Sequence, residues 1–129
     1  MKTTILTLAL IYTGFSQLVI GQTKSNTITA EEASKLIGEE VTIRAKVASV
    51  FYAESSSGSP TFLNLDKNFP DNPIVVVIFE KELKELKINA QLYKGKTIVV
   101  KGKVGLYKEE NKPSIVIDRK DQIKIAEVQ

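Results

Sequence analysis

The side chains able to do covalent chemistry are few. Among 129 residues there is no His and no Cys. That removes the imidazole general base, the thiolate nucleophile, the Ser-His-Asp triad and the usual zinc ligand sets. Carboxylates and lysines remain. The acidic groupings are Glu109 with Glu110, Asp118 with Asp121, and Asp66 with Asp71, and none has the spacing of a calcium-binding loop. Catalysis by paired carboxylates needs two of them converging in one cleft, whereas these pairs fall in turn-rich segments. The chain therefore reads as a binding protein and not an enzyme, with no cofactor and no metal.

The elements that position these residues begin after an export signal. Lys2 gives a positive start, Ile5 to Tyr12 form an uncharged apolar run, and Leu18 to Ile20 form a second short one. This is the pattern of a secretory signal peptide. Val19 and Gly21 are small enough for a peptidase site, which places the signal at 1–21 and a new terminus at Gln22; cleavage after Ser16 and retention as an anchor are the alternatives. Thr, Gly, Ser and Gln interrupt the stretch, and it is only just long enough to span a bilayer. The expected location is periplasmic or extracellular, with no stable membrane insertion once the signal is cut. Export compartments permit disulfides and none is available, so an apolar core must hold the domain. Removing residues 1–21 takes one of the 18 cationic residues and none of the 15 acidic ones. The mature chain is only mildly basic, less than a nucleic-acid-binding domain usually is.

Residues 22–28 are polar and read as a flexible lead-in, and 29–126 as one domain. Thr29 and Glu32 have the spacing of a helix capping box, with Gly38 as a left-handed stop, which predicts a helix of about two turns. From Glu40 the period changes to two: Val41, Ile43, Ala45 and Val47 alternate with Thr42, Arg44 and Lys46. The alternation slips at Ala48-Ser49, as at a β-bulge. Residues 54–60 are a loop, and Thr61 to Leu65 a strand with Leu63 and Leu65 on one side and Phe62 and Asn64 on the other. Ile74 to Phe79 is an apolar, β-branched run expected to be covered on both faces. Glu80 to Ile88 reads as a helix with a solvated charged face. Thr97 to Val104 and Ser114 to Asp118 are strands, and Ile123 and Ile125 close the sheet.

Five strands with a helix after the third is the element order of the OB-fold, a Greek-key barrel. Residues 58–65 followed by 74–79 resemble strands two and three of the anticodon-binding type of OB-fold. Tyr93 to Val104, with Leu106-Tyr107 and Pro113 to Ile117, resembles the strand-four hairpin of the same superfamily. The chain is similar to exported bacterial OB-fold domains that occur alone or attached to secreted nucleases. In those a short helix ending in Gly leads into strand one, as Glu31 to Gly38 leads into Val41 here. The resemblance spans about Ile28 to Ile125 and consists of turn and core patterns. It implies a mainly β fold: a five-stranded barrel with a short N-terminal helix and a helix between strands three and four.

The resemblance also implies where a ligand sits. OB-folds take extended oligomers across strands two and three, stacking bases on aromatic rings and placing phosphates along Lys and Arg. The matching residues are Phe62 and Asn64 on strand two, Arg44 and Lys46 on strand one, Tyr52 at the mouth of the first loop, and Tyr107, Lys108 and Lys112 in the last hairpin. Plain structural roles compete at each. Phe62 would pack under a loop, Arg44 and Lys46 would solvate a sheet face, and Asn64 would bond a neighbouring loop. The expected function is weak, sequence-tolerant binding of single-stranded DNA or RNA by a monomer. The alternative is a small cationic ligand, an oligosaccharide or a periplasmic protein partner.

Overall fold

One long strand organises the molecule because its alternation changes phase midway. The computed structural model describes residues 26–108 and 111–126; the expected signal at 1–21 lies outside them. In β1 (Glu40–Tyr52) the residues Ile43, Ala45 and Val47 are buried, while Arg44 and Lys46 are exposed. The first half of β1 pairs with β4 (Thr97–Lys103) and the second half with β2 (Thr61–Leu65), and the register shifts between Val47 and Ser49. The shift falls where the sequence alternation slips. An extra residue there bends the strand and changes which residues face outward, so one strand serves both halves of the sheet.

The remaining strands are β3 (Val75–Ile78), β5 (Gly105–Tyr107), β6 (Lys112–Val116) and β7 (Ile123–Ile125). Among the described residues seven strands run in the order β5-β6-β3-β2-β1-β4-β7. Only the β3–β6 ladder is parallel. All four residues of β3 are buried, matching its unbroken β-branched composition. Leu63, Leu65, Val76, Ile78, Ile98, Val100, Ile115 and Ile117 fill the core with the inward residues of β1.

Two expectations change here. The described residues hold seven strands instead of five, because the short segments β5 and β7 each form a ladder of their own. The sheet is also open, with no ladder joining β4 to β6. A glutamine occupies that seam. Gln122 is 4% exposed; its Nε2 donates to the carbonyls of Lys101 in β4 and Val116 in β6, and its Oε1 accepts from the amides of Asp118 and Arg119. Gly102 allows the approach, since a Cβ there would lie 2.8 Å from Ile115 Cγ2 and 3.0 Å from Gln122 Nε2.

The helices are shorter than the sequence predicts. In α1 (Ala30–Ala33) the Thr29–Glu32 capping box forms in both directions, but the chain then tightens into i→i+3 turns through Leu36. Ala30 and Ala33 reach the core. In α2 (Glu80–Glu85) the helix ends early because Lys87 takes φ +56°, a left-handed position occupied here without glycine. Lys81–Glu85 and Lys84–Glu80 are solvated i,i+4 pairs. Ile28, expected within a flexible lead-in, is bridged to Ile43: its amide donates to Thr42 O at 2.9 Å and its carbonyl accepts from Arg44 N at 3.0 Å.

Candidate ligand-binding groove

Beyond the bulge the outward residues of β1 are Ser49 and Phe51, and opposite them on β2 stand Asn64 and Phe62. These four line a groove of about 890 Å³, closed at its far side by Tyr107, Lys108 and Lys112 from the β5–β6 hairpin and by Asn68, Phe69 and Asn72 from the loop between β2 and β3. Phe51 and Phe62 face each other across the ladder with rings 7° from parallel and centroids 6.4 Å apart. Phe62 in turn meets Tyr107 edge-on, at 5.2 Å and 85°. The result is a row of three rings from β1 to β5. Both geometries are favourable for aromatic pairs, so the row is ordered before any ligand arrives. Phe51 is 59% exposed and offers the most open ring of the row.

The polar groups around the rings are mostly committed to one another. Asn64, 6% exposed, donates to Ser49 Oγ at 3.0 Å and accepts from Asn72 Nδ2 at 3.1 Å. Asn72 also donates to Ile74 O, at 3.4 Å. Its Oδ1 is buried without a hydrogen-bond partner among the described residues. The Lys112 ammonium donates to the carbonyls of Pro70 and Asn72 at 3.0 and 2.6 Å and lies 5.9 Å from the Phe69 ring centre. It therefore ties the loop to the hairpin. Lys108 lies 5.8 Å from the Tyr107 ring centre and is exposed.

Five of the eight residues singled out from the sequence meet in this groove: Phe62, Asn64, Tyr107, Lys108 and Lys112. The other three do not line it. Tyr52 points the opposite way from Phe51, and its hydroxyl donates to Glu80 Oε1 at 2.6 Å. That bond, ahead of desolvation and the nearby charge, raises the phenol above its ordinary value. Glu80 is held below the usual carboxylate range by the same bond first and by Lys84 second. Tyr52 thus fastens β1 to α2. Arg44 and Lys46 lie on the other half of β1, opposite Val99 and Thr97 of β4. Phe51, Phe69 and Asn72 were missed. Phe51 follows from carrying the phase change at Ala48-Ser49 through to position 51, whereas the two loop residues leave no periodic signal.

The groove combines an ordered ring row, an amide and hydroxyl floor and an exposed lysine at one end, on the outer face of β1 and β2. Several solved structures share this fold. An OBody, AM1L10, bound to hen egg-white lysozyme matches with a TM-score of 0.55 and 22% identity over 82% of this chain and 96% of that one. The chain has an OB-like fold. A putative aspartyl-tRNA synthetase from Leishmania major Friedlin matches at TM-score 0.52 and 16% identity, over 85% of this chain and 22% of that one. The aspartyl tRNA synthetase from Entamoeba histolytica matches at 0.50 and 18%, over 87% and 25%. The chain spans about a quarter or less of either synthetase. No protein-family model and no curated protein sequence matches it. Among the described residues no group of three or more His, Cys, Asp or Glu could hold a metal ion, and no helix is long and apolar enough to cross a membrane.

Proposed function

We propose that this OB-like chain is a non-catalytic binding module that takes single-stranded DNA or RNA in the ring-lined groove, weakly and with little sequence preference. The row Phe51–Phe62–Tyr107 carries the reading. Every base has a flat π-face, and stacking on an aromatic side chain contributes ~1–3 kcal/mol per base. Lys108, exposed beside Tyr107, is placed for a phosphate, while Lys112 serves mainly to fix the loop. The apolar leading segment fits export to the periplasm or outside the cell, and the module acts there as a monomer.

The amide and hydroxyl floor of Ser49, Asn64 and Asn72 favours a second reading, a neutral oligosaccharide stacked on the same rings. Salt separates the two. Anisotropy of a labelled oligothymidylate of about six nucleotides, within the site sizes of OB-folds, should fall with log salt at a slope of about −0.7 per phosphate contact. Weakening by Phe51→Ala with an unchanged melting temperature places the strand on the ring row. No binding at low salt overturns the nucleic-acid reading, and salt-insensitive binding of an oligosaccharide favours the second.

A further inference from the structure

The other half of β1 presents a surface of opposite character. Antiparallel partners project to the same side of a sheet, so the pairs Arg44–Val99, Lys46–Thr97, Thr42–Lys101 and Glu40–Lys103 define one face, extended by Lys124 of β7 opposite Val99. Arg44, Lys46, Lys101, Lys103 and Lys124 are all exposed, and Glu40 is the one acid among these paired positions. None of the five cations forms a salt bridge among the described residues; the pairs present lie on α2 and around Arg119. Like charges directly across or diagonal in a sheet repel. An unneutralised set on one face is a surface that an anion stabilises.

This face and the groove share the strand β1. Arg44 and Lys46 point outward before the bulge and Ser49 and Phe51 point outward after it, along the same strand. From Lys46 to Phe51 the distance is at most about 16 Å, five residues at full strand rise, and shorter for the bulge between them. Along β4, Lys101 and Lys103 lie about 7 Å apart on the same rule.

We propose that the outer face of β1, β4 and β7 binds the phosphate backbone of a single strand leaving the groove, so that bases are held by Phe51, Phe62 and Tyr107 and the exiting phosphates by Arg44, Lys46, Lys101, Lys103 and Lys124. The proposal rests on the nucleic-acid reading of the groove. It makes the footprint longer than the groove. It also divides the energetics, with the ring half depending on salt only through Lys108 and the cationic half governed by counterion release at several phosphates.

The test compares oligothymidylates of about six and about twenty nucleotides, bracketing the OB-fold site sizes, on the wild-type chain and on the combined variant Lys46→Gln, Lys101→Gln, Lys103→Gln, Lys124→Gln. These side chains are exposed and the substitutions keep most of their stems, so thermal melting should be unchanged; Lys101→Gln with Lys103→Gln alone is the smaller variant if it is not. The wild-type chain should bind the longer strand about tenfold more tightly, with a log-log salt slope steeper by about 0.7 for each cation engaged. The variant should bind the short strand as before and lose the gain in both affinity and slope. An unchanged slope for the long strand on the variant overturns the proposal. If the short strand fails on the wild type but the long one binds and loses its affinity in the variant, the groove reading falls and the cationic face stands. Failure of both strands on the wild type overturns both. Wild-type binding to phosphatidylglycerol vesicles, lost in the variant and without long-strand binding, reassigns the face to a lipid surface.

Discussion

The two ends of β1 differ in what their outward residues already have as partners. Beyond the bulge, Phe51 stacks on Phe62, and Ser49 accepts from Asn64. Before it, Arg44 and Lys46 extend from the sheet with no salt bridge among the described residues. One half is preorganised, with its ordering cost met on folding. The other depends on long, mobile side chains whose charges act over about a Debye length, ~10 Å at 0.1 M salt. An ordered ring platform selects for flatness, and a mobile cationic face selects for charge. Joining both to one bent strand lets a single ligand be tested for both.

The most damaging way to break this arrangement is at the seam that holds the halves together. Gln122→Leu leaves two amides and two carbonyls without their shared partner, and the expected loss is about 2–3 kcal/mol in urea unfolding; a loss within experimental error would mean that the seam is held by apolar packing alone. Next comes Phe51→Ala, which should weaken a short oligonucleotide by about tenfold, near 1.4 kcal/mol within the range for one stacked base. Its fold should be unaffected, since the ring is largely exposed. Lys112→Met should cost about 1 kcal/mol of stability through its two carbonyl bonds while leaving the salt slope for a short strand almost unchanged. Lys108→Met should do the reverse, lowering that slope with little effect on melting. A similar slope for both variants would remove the distinction between a fastening lysine and a ligand-facing one.

The smallest effect is on pH. Glu80 is held low by Tyr52 and Lys84, so what it contributes is present above the ordinary carboxylate value and is lost as pH falls through its lowered one. Both residues are at the surface, and screening keeps the effect small. Tyr52→Phe should narrow the acid-side difference in melting temperature between neutral pH and about pH 3, below the ordinary carboxylate range. An unchanged acid profile would mean that the 2.6 Å bond does not persist in solution.

Much of the fold was legible because it follows from period and chemistry. The alternation from Val41 to Val47, the slip at Ala48-Ser49 and the Thr29–Glu32 cap reappear as β1, its register shift and the start of α1. The opposite orientation of Leu63 and Phe62 also holds. The open seam was not legible. It depends on Gln122, whose Oε1 takes the nearby amides of Asp118 and Arg119 but whose Nε2 also reaches Lys101, 21 residues back in β4, and no local pattern announces that reach. The early end of α2 was hidden for a related reason, since Lys87 occupies a left-handed position that sequence reasoning reserves for glycine or asparagine. In the groove, strand positions were readable up to the phase of the bulge. Tyr52 matched as the residue at the mouth of the first loop, although the shifted alternation assigns the outward place to Phe51. Lys112 looked like a phosphate contact, and only the folded loop shows it held by Pro70 and Asn72.

The parallel ladder between β3 and β6 also has a kinetic meaning. It joins Val75 to Ser114 and Val77 to Val116, with α2, β4 and β5 all intervening in sequence. No local hairpin can form this pairing, and contacts of such separation are slow because the chain must close a long loop before they reward it. The β1–β2 and β2–β3 hairpins need no such closure. Tyr107 reaches Phe62 only when the hairpin carrying it has docked, so the third ring joins the row late. In a refolding experiment, strand signal and the Phe51–Phe62 pair should come first, and competence to hold a ligand should lag behind them as a separate, slower event.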